Sequence, residues 1–271
     1  MEIGNKKFDR SRTHVMGILN VTPDSFSDGG EHNTLDKALK HAERMINEGA
    51  AIIDVGGEST RPGHIQITDG EEIERTAEVI RAVKARFDIP VSIDTYKSAV
   101  AEAAIEAGAD LVNDVWGFKY DAKMAELVSR TGVCCCLMHN KNAAEYKSFI
   151  TDAAAELKEC AEIALSAGVS ADKIILDPGV GFGKTYEQNL EVMRNLKAFD
   201  LGYPLLLGTS RKSMIGNALG LDVTQRVEGT LVTTVMAVQS GYMFVRVHDV
   251  KENVRAIKMT EAILNNGEIN G

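Results

Sequence analysis

Short apolar runs alternate with amphipathic segments along almost the whole chain. The runs are rich in Val, Ile and Leu and too short for buried helices, which is typical of strands. The longer segments carry apolar residues at helical spacing; in 34–48, for example, Leu35, Leu39 and Ala42 share one face. Strands are predicted at 15–19, 51–55, 90–93, 111–112, 133–138, 173–176, 204–207 and 243–247. Helices are predicted at 34–48, 71–86, 98–107, 122–130, 149–167, 187–199, 223–240 and 251–264.

This pattern gives eight strand-then-helix units with no interruption long enough for a second domain. Near-continuous apolar strands between amphipathic helices indicate a parallel sheet that is covered on its outer face. We predict a single (β/α)₈ TIM barrel over residues 1–271, with a short N-terminal hairpin or arm at 1–12. The alternative is a doubly wound open sheet, but no GxGxxG turn follows the first strand, so the barrel is favoured.

The first strand runs into an unusual loop. Residues 15–30 read VMGILNVTPDSFSDGG, and from Asn20 onwards hydroxyls and carboxylates replace the apolar side chains. Pro23 and the pair Gly29–Gly30 oppose regular structure, and Phe26 is a single aromatic residue among polar ones. A strand that opens into such a loop favours a ligand site, although a solvated surface loop has the same composition.

Charge and cysteine content narrow the function classes. The net charge of −9 argues against nucleic-acid binding, which needs a basic face, but a few local Arg and Lys residues still allow a small anionic ligand. No apolar run approaches a membrane span and no hydrophobic signal segment follows Met1, so we expect a cytoplasmic protein without a membrane partner. Three of the four cysteines are consecutive at 134–136, where alternating strand faces prevent joint metal binding; we expect them to be buried apolar residues.

Polar residues stand at the ends of the predicted strands. In chain order they are Asn20, Asp54, Asp94, Asn113, His139, Asp177, Lys212, Arg246 and His248. Each alone has a structural explanation: Asp94 suits a helix cap, Asn113 a turn, and Asp177 the end of a strand before Pro178. In a (β/α)₈ barrel, however, all of these ends lie on one rim, where active sites occur. Their common placement indicates a shared ligand.

The residue types suggest what that ligand is. Asp94, Asn113 and Asp177 offer hydrogen-bond acceptors and Lys212 a charged donor, a set that suits a flat heterocycle with amino and ring N–H groups. Arg246 and His248 share one face of the last strand and suit an anion, and the loop at 208–213 lies where barrels often bind phosphate. Asn20, Asp24 and Asp28 form a plausible oxygen set for Mg²⁺. Heterocycle, diphosphate and Mg²⁺ together suggest group transfer with diphosphate as the leaving group.

Seven motifs carry a resemblance to a known family. They are NVTPDSFSDGG at 20–30, IDVGGESTRPG at 53–63, SIDT at 92–95, LVND at 111–114, LDPGVGFGK at 176–184, SRKS at 210–213 and RVHDV at 246–250. In this order they resemble the dihydropteroate synthases, and the match covers nearly the whole chain. The resemblance implies a (β/α)₈ transferase of folate biosynthesis that joins 6-hydroxymethyl-7,8-dihydropterin diphosphate to 4-aminobenzoate, is a target of sulfonamide analogues of aminobenzoate, and forms a homodimer through outer helices.

The resemblance also implies roles for individual residues. Asp94, Asn113, Asp177 and Lys212 would hold the pterin, with Met138 and Phe182 as its wall; Thr60, Arg246 and His248 would hold the diphosphate; Asn20 would bind Mg²⁺; and Phe26, Arg61, Pro62 and Ser213 would shape the aminobenzoate pocket. Asp94, Asp177, Lys212 and Arg246 are the predicted catalytic residues. The segment MHNKNAAEY at 138–146 departs from the methionine- and glycine-containing turn usual in the family, which puts the shape of that part of the rim in question.

The predicted reaction breaks the C–O bond to diphosphate before the amine attacks. Asp94 and Asp177 would balance the positive charge left on the pterin methylene, while the loops from Thr22 and Glu58 close and exclude water.

Two alternative functions would also use a pterin site. One is a methyltransferase that passes a methyl group from methyltetrahydrofolate to a corrinoid protein, and the other is a non-catalytic pterin-binding barrel. Neither needs the anion site formed by Arg246 and His248, which argues against both.

Overall fold

Eight parallel strands build the body of the molecule. The computed structural model describes residues 1–22, 31–59 and 66–264, with the backbone alone at 31–34. Its strands are β1 (Glu2–Ile3), β2 (Lys6–Lys7), β3 (His14–Asn20), β4 (Ile52–Gly56), β5 (Val91–Asp94), β6 (Leu111–Asp114), β7 (Cys134–Met138), β8 (Ile174–Asp177), β9 (Leu206–Leu207) and β10 (Phe244–Val247). The last eight form one sheet in the order β8-β7-β6-β5-β4-β3-β10-β9.

A single bridge closes the remaining seam of this sheet. Leu205, just before β9, pairs in parallel with Leu176 of β8. The Leu176 N–H also donates to the carbonyl of Pro204 at 2.9 Å. The predicted TIM barrel is therefore confirmed, and the doubly wound open sheet is wrong.

Helices surround the strands. They are α1 (Glu31–Asn47), α2 (Asp69–Arg86), α3 (Ser98–Glu106), α4 (Lys123–Thr131), α5 (Phe149–Ser166), α6 (Tyr186–Arg194), α7 (Ser213–Leu219), α8 (Val227–Gln239) and α9 (Val250–Leu264). The larger apolar core fills the layer between helices and sheet, because each barrel strand sends every second side chain outwards. Among the described residues, no helix is both long and apolar enough to cross a membrane.

A second, smaller apolar cluster fills the barrel interior, and the N-terminal hairpin covers it. β1 and β2 pair antiparallel, and Ile3 and Phe8 pack against Met16 and Phe244 inside the barrel. Cys134 and Cys136 belong to this interior cluster, whereas Cys135 faces the helices. All four cysteines are buried free thiols, as predicted. The hairpin thus blocks the amino-terminal end of the barrel and leaves the carboxyl ends of the strands for a site.

Two predicted helices differ from the structure, and one helix was missed. The helix predicted at 187–199 ends at Arg194, because Asn195 leaves helical geometry (φ −122°, ψ 31°) and a 3₁₀ turn follows at Leu196–Phe199. The helix predicted at 223–240 begins only at Val227, after a separate 3₁₀ turn. The short helix α7, which ends at Gly220 in the left-handed conformation, was not predicted.

Candidate active site

One arginine joins two buried carboxylates at the carboxyl end of the barrel. Arg246 of β10 reaches across the barrel mouth, and its Nε and Nη2 donate to Asp54 Oδ2 at 2.5 Å and Asp94 Oδ2 at 2.6 Å. Asp54 and Asp94 stand on the adjacent strands β4 and β5, so their carboxylates converge on the same guanidinium. Within the described part of the chain, Asp54 Oδ1 and Asp94 Oδ1 are buried and have no hydrogen-bond partner. Buried acceptors of this kind favour a ligand that brings N–H donors.

Burial dominates the electrostatics of this pair. It raises the pKa of Asp94 to about 7, with Arg246 opposing the rise and Asp54 adding to it. For Arg246 burial alone would lower the pKa, but the carboxylates of Asp54 and Asp94 raise it above its ordinary value. The guanidinium therefore stays charged while Asp94 titrates near neutrality. Asn113 of β6 borders the group, with its Nδ2 at 3.4 Å from Asp54 Oδ2.

A second polar pair stands on the other side of the mouth. Asp177 Oδ1, at the end of β8, accepts the N–H of Gly179 at 2.7 Å. Lys212 donates through Nζ to the carbonyl of Val180, and its Nζ lies 4.5 Å from the centre of the Phe182 ring. Burial lowers the pKa of Lys212 to about 8 against the attraction of Asp177, and burial raises the pKa of Asp177 against that of Lys212.

Gly208 leaves open the space between these two groups. A Cβ at this position would lie 3.5 Å from Asp177 Oδ2 and 3.9 Å from Lys212 Nζ. Any side chain here would therefore occupy the space that the carboxylate and the ammonium face. Asp177 and Lys212 thus present an acceptor and a donor to one common volume.

Apolar side chains line part of the mouth. Tyr96, Val115 and Met138 form a small buried cluster, with half-buried Trp116 and Phe182 packed against it. Met138 and Phe182 were predicted at this wall, whereas Tyr96, Val115 and Trp116 were not. An apolar wall beside converging polar groups is the usual composition of a small-molecule site.

The described residues of the predicted metal and anion sites lie at the same end of the barrel. A Cβ at Gly56 would be 3.5 Å from Asn20 Oδ1 and 3.8 Å from Asp94 Oδ2, so Asn20 borders the Asp94 side of the mouth. His248 Nδ1 lies 3.0 Å from Ser210 Oγ, which also accepts the His248 N–H at 3.1 Å. Ser213 is the exposed first residue of α7. Phe26, Thr60, Arg61 and Pro62, with Asp24 and Asp28, lie outside the described residues.

His139, predicted at the rim, has an enclosed ring. Its Nε2 lies 2.8 Å from Glu156 Oε2 and its Nδ1 lies 2.7 Å from Lys184 Nζ. Burial, and next the charge of Lys184, lower the pKa of His139 to about 4, so the imidazole is neutral. With Lys184 donating to Nδ1, the ring proton is on Nε2 and points to Glu156.

Sequence reasoning also missed a buried charged cluster beside the loop after β4. Lys97 Nζ donates to Glu58 Oε2 at 2.6 Å and to the carbonyl of Ile67 at 2.8 Å, and it pairs with Glu72 Oε2 at 2.8 Å. Glu58 also accepts from the Tyr96 hydroxyl and from the Ile67 N–H. One ammonium therefore ties Glu58 to Ile67, on either side of 60–65. A lysine directly after a strand end, in SIDTYK, was the one available signal.

Comparison with known proteins shows which enzymes have this architecture. Residues 16–248 match the family model described as pterin binding enzyme. The dihydropteroate synthase of Clostridium beijerinckii is 60% identical over 267 residues, which cover 97% of this chain and 99% of that protein. The chain belongs to the dihydropteroate synthase family. The resemblance noted in the motifs is thereby confirmed, as is the prediction of a transferase of folate biosynthesis.

Solved structures of the dihydropteroate synthase family share the fold. The Clostridium difficile dihydropteroate synthase, crystallised in the presence of pteroic acid, superimposes with a TM-score of 0.91 at 51% identity, covering 97% of this chain and 98% of that one. The Yersinia pestis enzyme, in a sulfonamide complex, gives a TM-score of 0.92 at 42% identity, with 98% and 99% covered. This chain therefore has the same barrel fold as these two dihydropteroate synthases.

Proposed function

We propose that this chain condenses 6-hydroxymethyl-7,8-dihydropterin diphosphate with 4-aminobenzoate to give 7,8-dihydropteroate and diphosphate. The observation that carries the proposal is a pair of buried acceptors, Asp54 Oδ1 and Asp94 Oδ1, which have no hydrogen-bond partner among the described residues and lie in the same barrel mouth as Asp177 and Lys212. Such a mouth suits a flat ring that carries several N–H donors and a carbonyl. The proposal is supported by one relative crystallised in the presence of pteroic acid and by another in a sulfonamide complex.

In this proposal the polar side chains form hydrogen bonds with the N–H groups and the carbonyl at the edges of the pterin ring. Asp94, Asn113 and Asp177 accept from or bridge the amino and ring N–H groups, and Lys212 donates to a ring carbonyl or nitrogen. Met138 and Phe182 cover the ring faces. Because the pocket carboxylates are buried, each ligand N–H replaces a missing hydrogen bond, and the loss of any one is costly.

Arg246 and His248 bind the diphosphate of the substrate in this proposal. Thr60 is added to them because the family resemblance implies it. Ser210 fixes the His248 ring through the 3.0 Å contact. The half-exposed amide oxygen of Asn20 fits Mg²⁺, which binds hard oxygen ligands and usually takes the rest from substrate phosphates and water. When bound, Mg²⁺ would neutralise charge on the departing diphosphate. Among the described residues no group of three His, Cys, Asp or Glu residues could hold a metal. Asp24 and Asp28, which the sequence groups with Asn20, lie outside those residues and belong to the same proposed site.

The proposed reaction is a substitution in which the bond to the leaving group breaks before the new bond forms. The C–O bond between the pterin methylene and diphosphate breaks, and both electrons leave with the diphosphate. The cation that remains is spread over the ring, and the carboxylates of Asp94 and Asp177 stabilise it. The amine of 4-aminobenzoate then forms the C–N bond and loses one proton. Phe26, Arg61, Pro62 and Ser213 are the proposed positioning residues for that second substrate.

Turnover tests the proposal directly. Wild-type protein mixed with both substrates and Mg²⁺ should form dihydropteroate and diphosphate in equal amounts. Lys212→Ala should reduce kcat/KM for the pterin diphosphate by about a hundredfold, because a charged donor is lost from a buried site. Lys84→Met, which removes a lysine paired with Asp110 at 2.8 Å near the other end of the barrel, should not. Tight pterin binding without turnover would instead show a binding protein.

The proposal includes a cellular compartment, binding partners and an oligomeric state. We place the enzyme in the cytoplasm, since its four cysteines are free and buried as in a reducing compartment. Its partners are the two small substrates, and neither nucleic acid nor a membrane is among them. A homodimer through outer helices and a single domain over 1–271 belong to the same proposal.

A further inference from the structure

Lys212 depends on the loop that precedes α6. Its ammonium donates to the carbonyl of Val180 and lies over the ring of Phe182, and a Cβ at Gly181 would lie 3.0 Å from its Cδ. Three successive loop residues thus contact one side chain. Any shift of the loop would move the Lys212 ammonium with it.

A second lysine holds the backbone of this loop. Lys184 Nζ donates to the carbonyls of Gly179 at 2.9 Å and Phe182 at 3.0 Å, and to His139 Nδ1 at 2.7 Å. The His139 carbonyl lies at 3.5 Å as well, so four acceptors surround the three N–H donors of the ammonium. No donor is left for a ligand, so the role of Lys184 is to hold protein groups in place.

The support continues outwards through the segment that departs from the family pattern. His139 passes the interaction to Glu156, whose Oε1 in turn accepts from Lys141 at 2.7 Å. The Tyr146 hydroxyl donates to the carbonyl of Gly183 at 2.8 Å, and a Cβ at Gly183 would lie 2.5 Å from the Lys141 carbonyl oxygen. Residues 139–146 therefore pack against the loop at close range.

We propose that Lys184, held by His139 and Glu156, is a positioning residue for pterin binding: it fixes the loop at 178–183 and thereby places the Lys212 ammonium and the Phe182 ring. The inference rests on the proposed role of Lys212 in binding the pterin. It gives the segment at 139–146 a function, since that segment supports the loop without providing a ligand for the pterin.

The test separates positioning from general stability. In Lys184→Met the KM for pterin diphosphate and the dissociation constant for the free pterin should both rise about tenfold, the size expected when a charged hydrogen-bonding group is lost. The KM for 4-aminobenzoate should not change. Lys84→Met is the control, because it makes the same substitution at a lysine paired with Asp110 away from the barrel mouth and should leave pterin affinity at the wild-type value.

A conservative pair at Glu156 provides an independent readout. Glu156→Gln keeps an oxygen for the His139 Nε2–H and should bind pterin like the wild type, whereas Glu156→Leu should lose affinity. Two results would overturn the positioning role alone. One is equal pterin affinity of the two Glu156 variants. The other is wild-type pterin affinity in Lys184→Met while Lys212→Ala binds pterin weakly. Wild-type affinity in Lys212→Ala would overturn the proposed pterin site, and the positioning role with it.

Discussion

Arg246 shows how single residues set the chemistry of the barrel mouth. Its guanidinium faces two carboxylates, and each carboxylate keeps one buried oxygen without a partner in the described part of the chain. Because burial raises the pKa of Asp94 to about 7, the ionisation of this carboxylate falls in the physiological range. An ionised carboxylate accepts hydrogen bonds from N–H donors better than a protonated one. Pterin affinity should therefore rise as the pH increases through 7.

Removing the neighbouring charge should shift this pH dependence. Asp54 raises the pKa of Asp94, so Asp54→Asn should lower the midpoint of the affinity profile by roughly one pH unit. The measurement is the pterin dissociation constant between pH 5.5 and 8.5 by calorimetry, in which ionisation of the ligand contributes equally to both proteins. Asp114→Asn is the control, because Asp114 is buried and its pKa is also raised to about 7, but it accepts from the backbone N–H groups of Trp116 and Phe118. An unchanged midpoint in Asp54→Asn would contradict the coupling.

His139 should stay neutral in the folded protein far below the pH at which an exposed histidine is protonated. Burial and Lys184 lower its pKa from 6.5 to about 4. Between these values the unfolded chain binds a proton that the native protein does not, so stability is complete above pH 6.5 and is lost as the pH falls towards 4. Ring ¹⁵N shifts followed by NMR should show Nε2–H and no protonation of Nδ1 from pH 5 to 8. Titration near 6.5 would disprove the enclosed tautomer.

Among the helices and strands, the sequence predicted those whose formation depends on a local pattern of apolar residues. Apolar runs located the barrel strands, and their alternation placed Cys134 and Cys136 on one face and Cys135 on the other. The break at Asn195 and the short helix α7 were missed because one non-helical residue, or a helix of two turns, leaves almost no periodic signal. Such segments take their form from the elements they pack against.

The loop after β4 depends on a buried ion cluster that no local pattern reveals. Lys97 pairs with Glu58 and Glu72, and the side chains are 5%, 2% and 1% exposed. Lys97→Met leaves two carboxylates buried without their cation, so the free energy of unfolding should fall by about 3–5 kcal/mol in urea titrations. Lys6→Met, whose partner Asp88 is 71% exposed, should leave the free energy of unfolding at the wild-type value within the error of the titration.

A second change distinguishes the charge effect from simple loss of packing. Adding Glu72→Leu to Lys97→Met removes one unpaired carboxylate and should recover part of the lost stability. Burial raises the pKa of Glu72 in the native protein, as expected for the less well compensated member of the pair. If the double variant is less stable than Lys97→Met, the cluster is held by packing rather than by charge.

For the whole molecule, topology explains why the site was more predictable than its supports. A (β/α)₈ barrel brings all strand ends to one rim, so knowing the strands was enough to group Asp94, Asn113, Asp177 and Lys212. The contacts behind the rim join residues that sequence does not relate: Arg246 meets Asp54 across 192 positions, and Lys184 meets His139 across 45. Their pairing follows from three-dimensional packing alone.

Exposed apolar side chains on two outer helices indicate how the chain assembles. Val232 on α8 and Met259 and Ile263 on α9 are 61%, 63% and 66% exposed, and these two helices are neighbours on the outside of the barrel. Apolar side chains of this size on adjacent outer helices favour burial in a subunit interface. Light scattering after gel filtration should therefore give twice the 29.4 kDa chain mass.

Substitutions test which face forms this interface. Val232→Lys combined with Met259→Lys should weaken dimerisation at least about tenfold, because two charges would have to be desolvated at the contact. Leu165→Lys is the control: Leu165 is an apolar residue on α5, 41% exposed and away from the proposed face. A monomeric wild type would refute the homodimer, and dissociation by Leu165→Lys alone would move the interface to another helix. Since the proposed face lies on the outside of the barrel and the polar rim at its mouth, the double variant, where it folds, should keep its affinity for pterin.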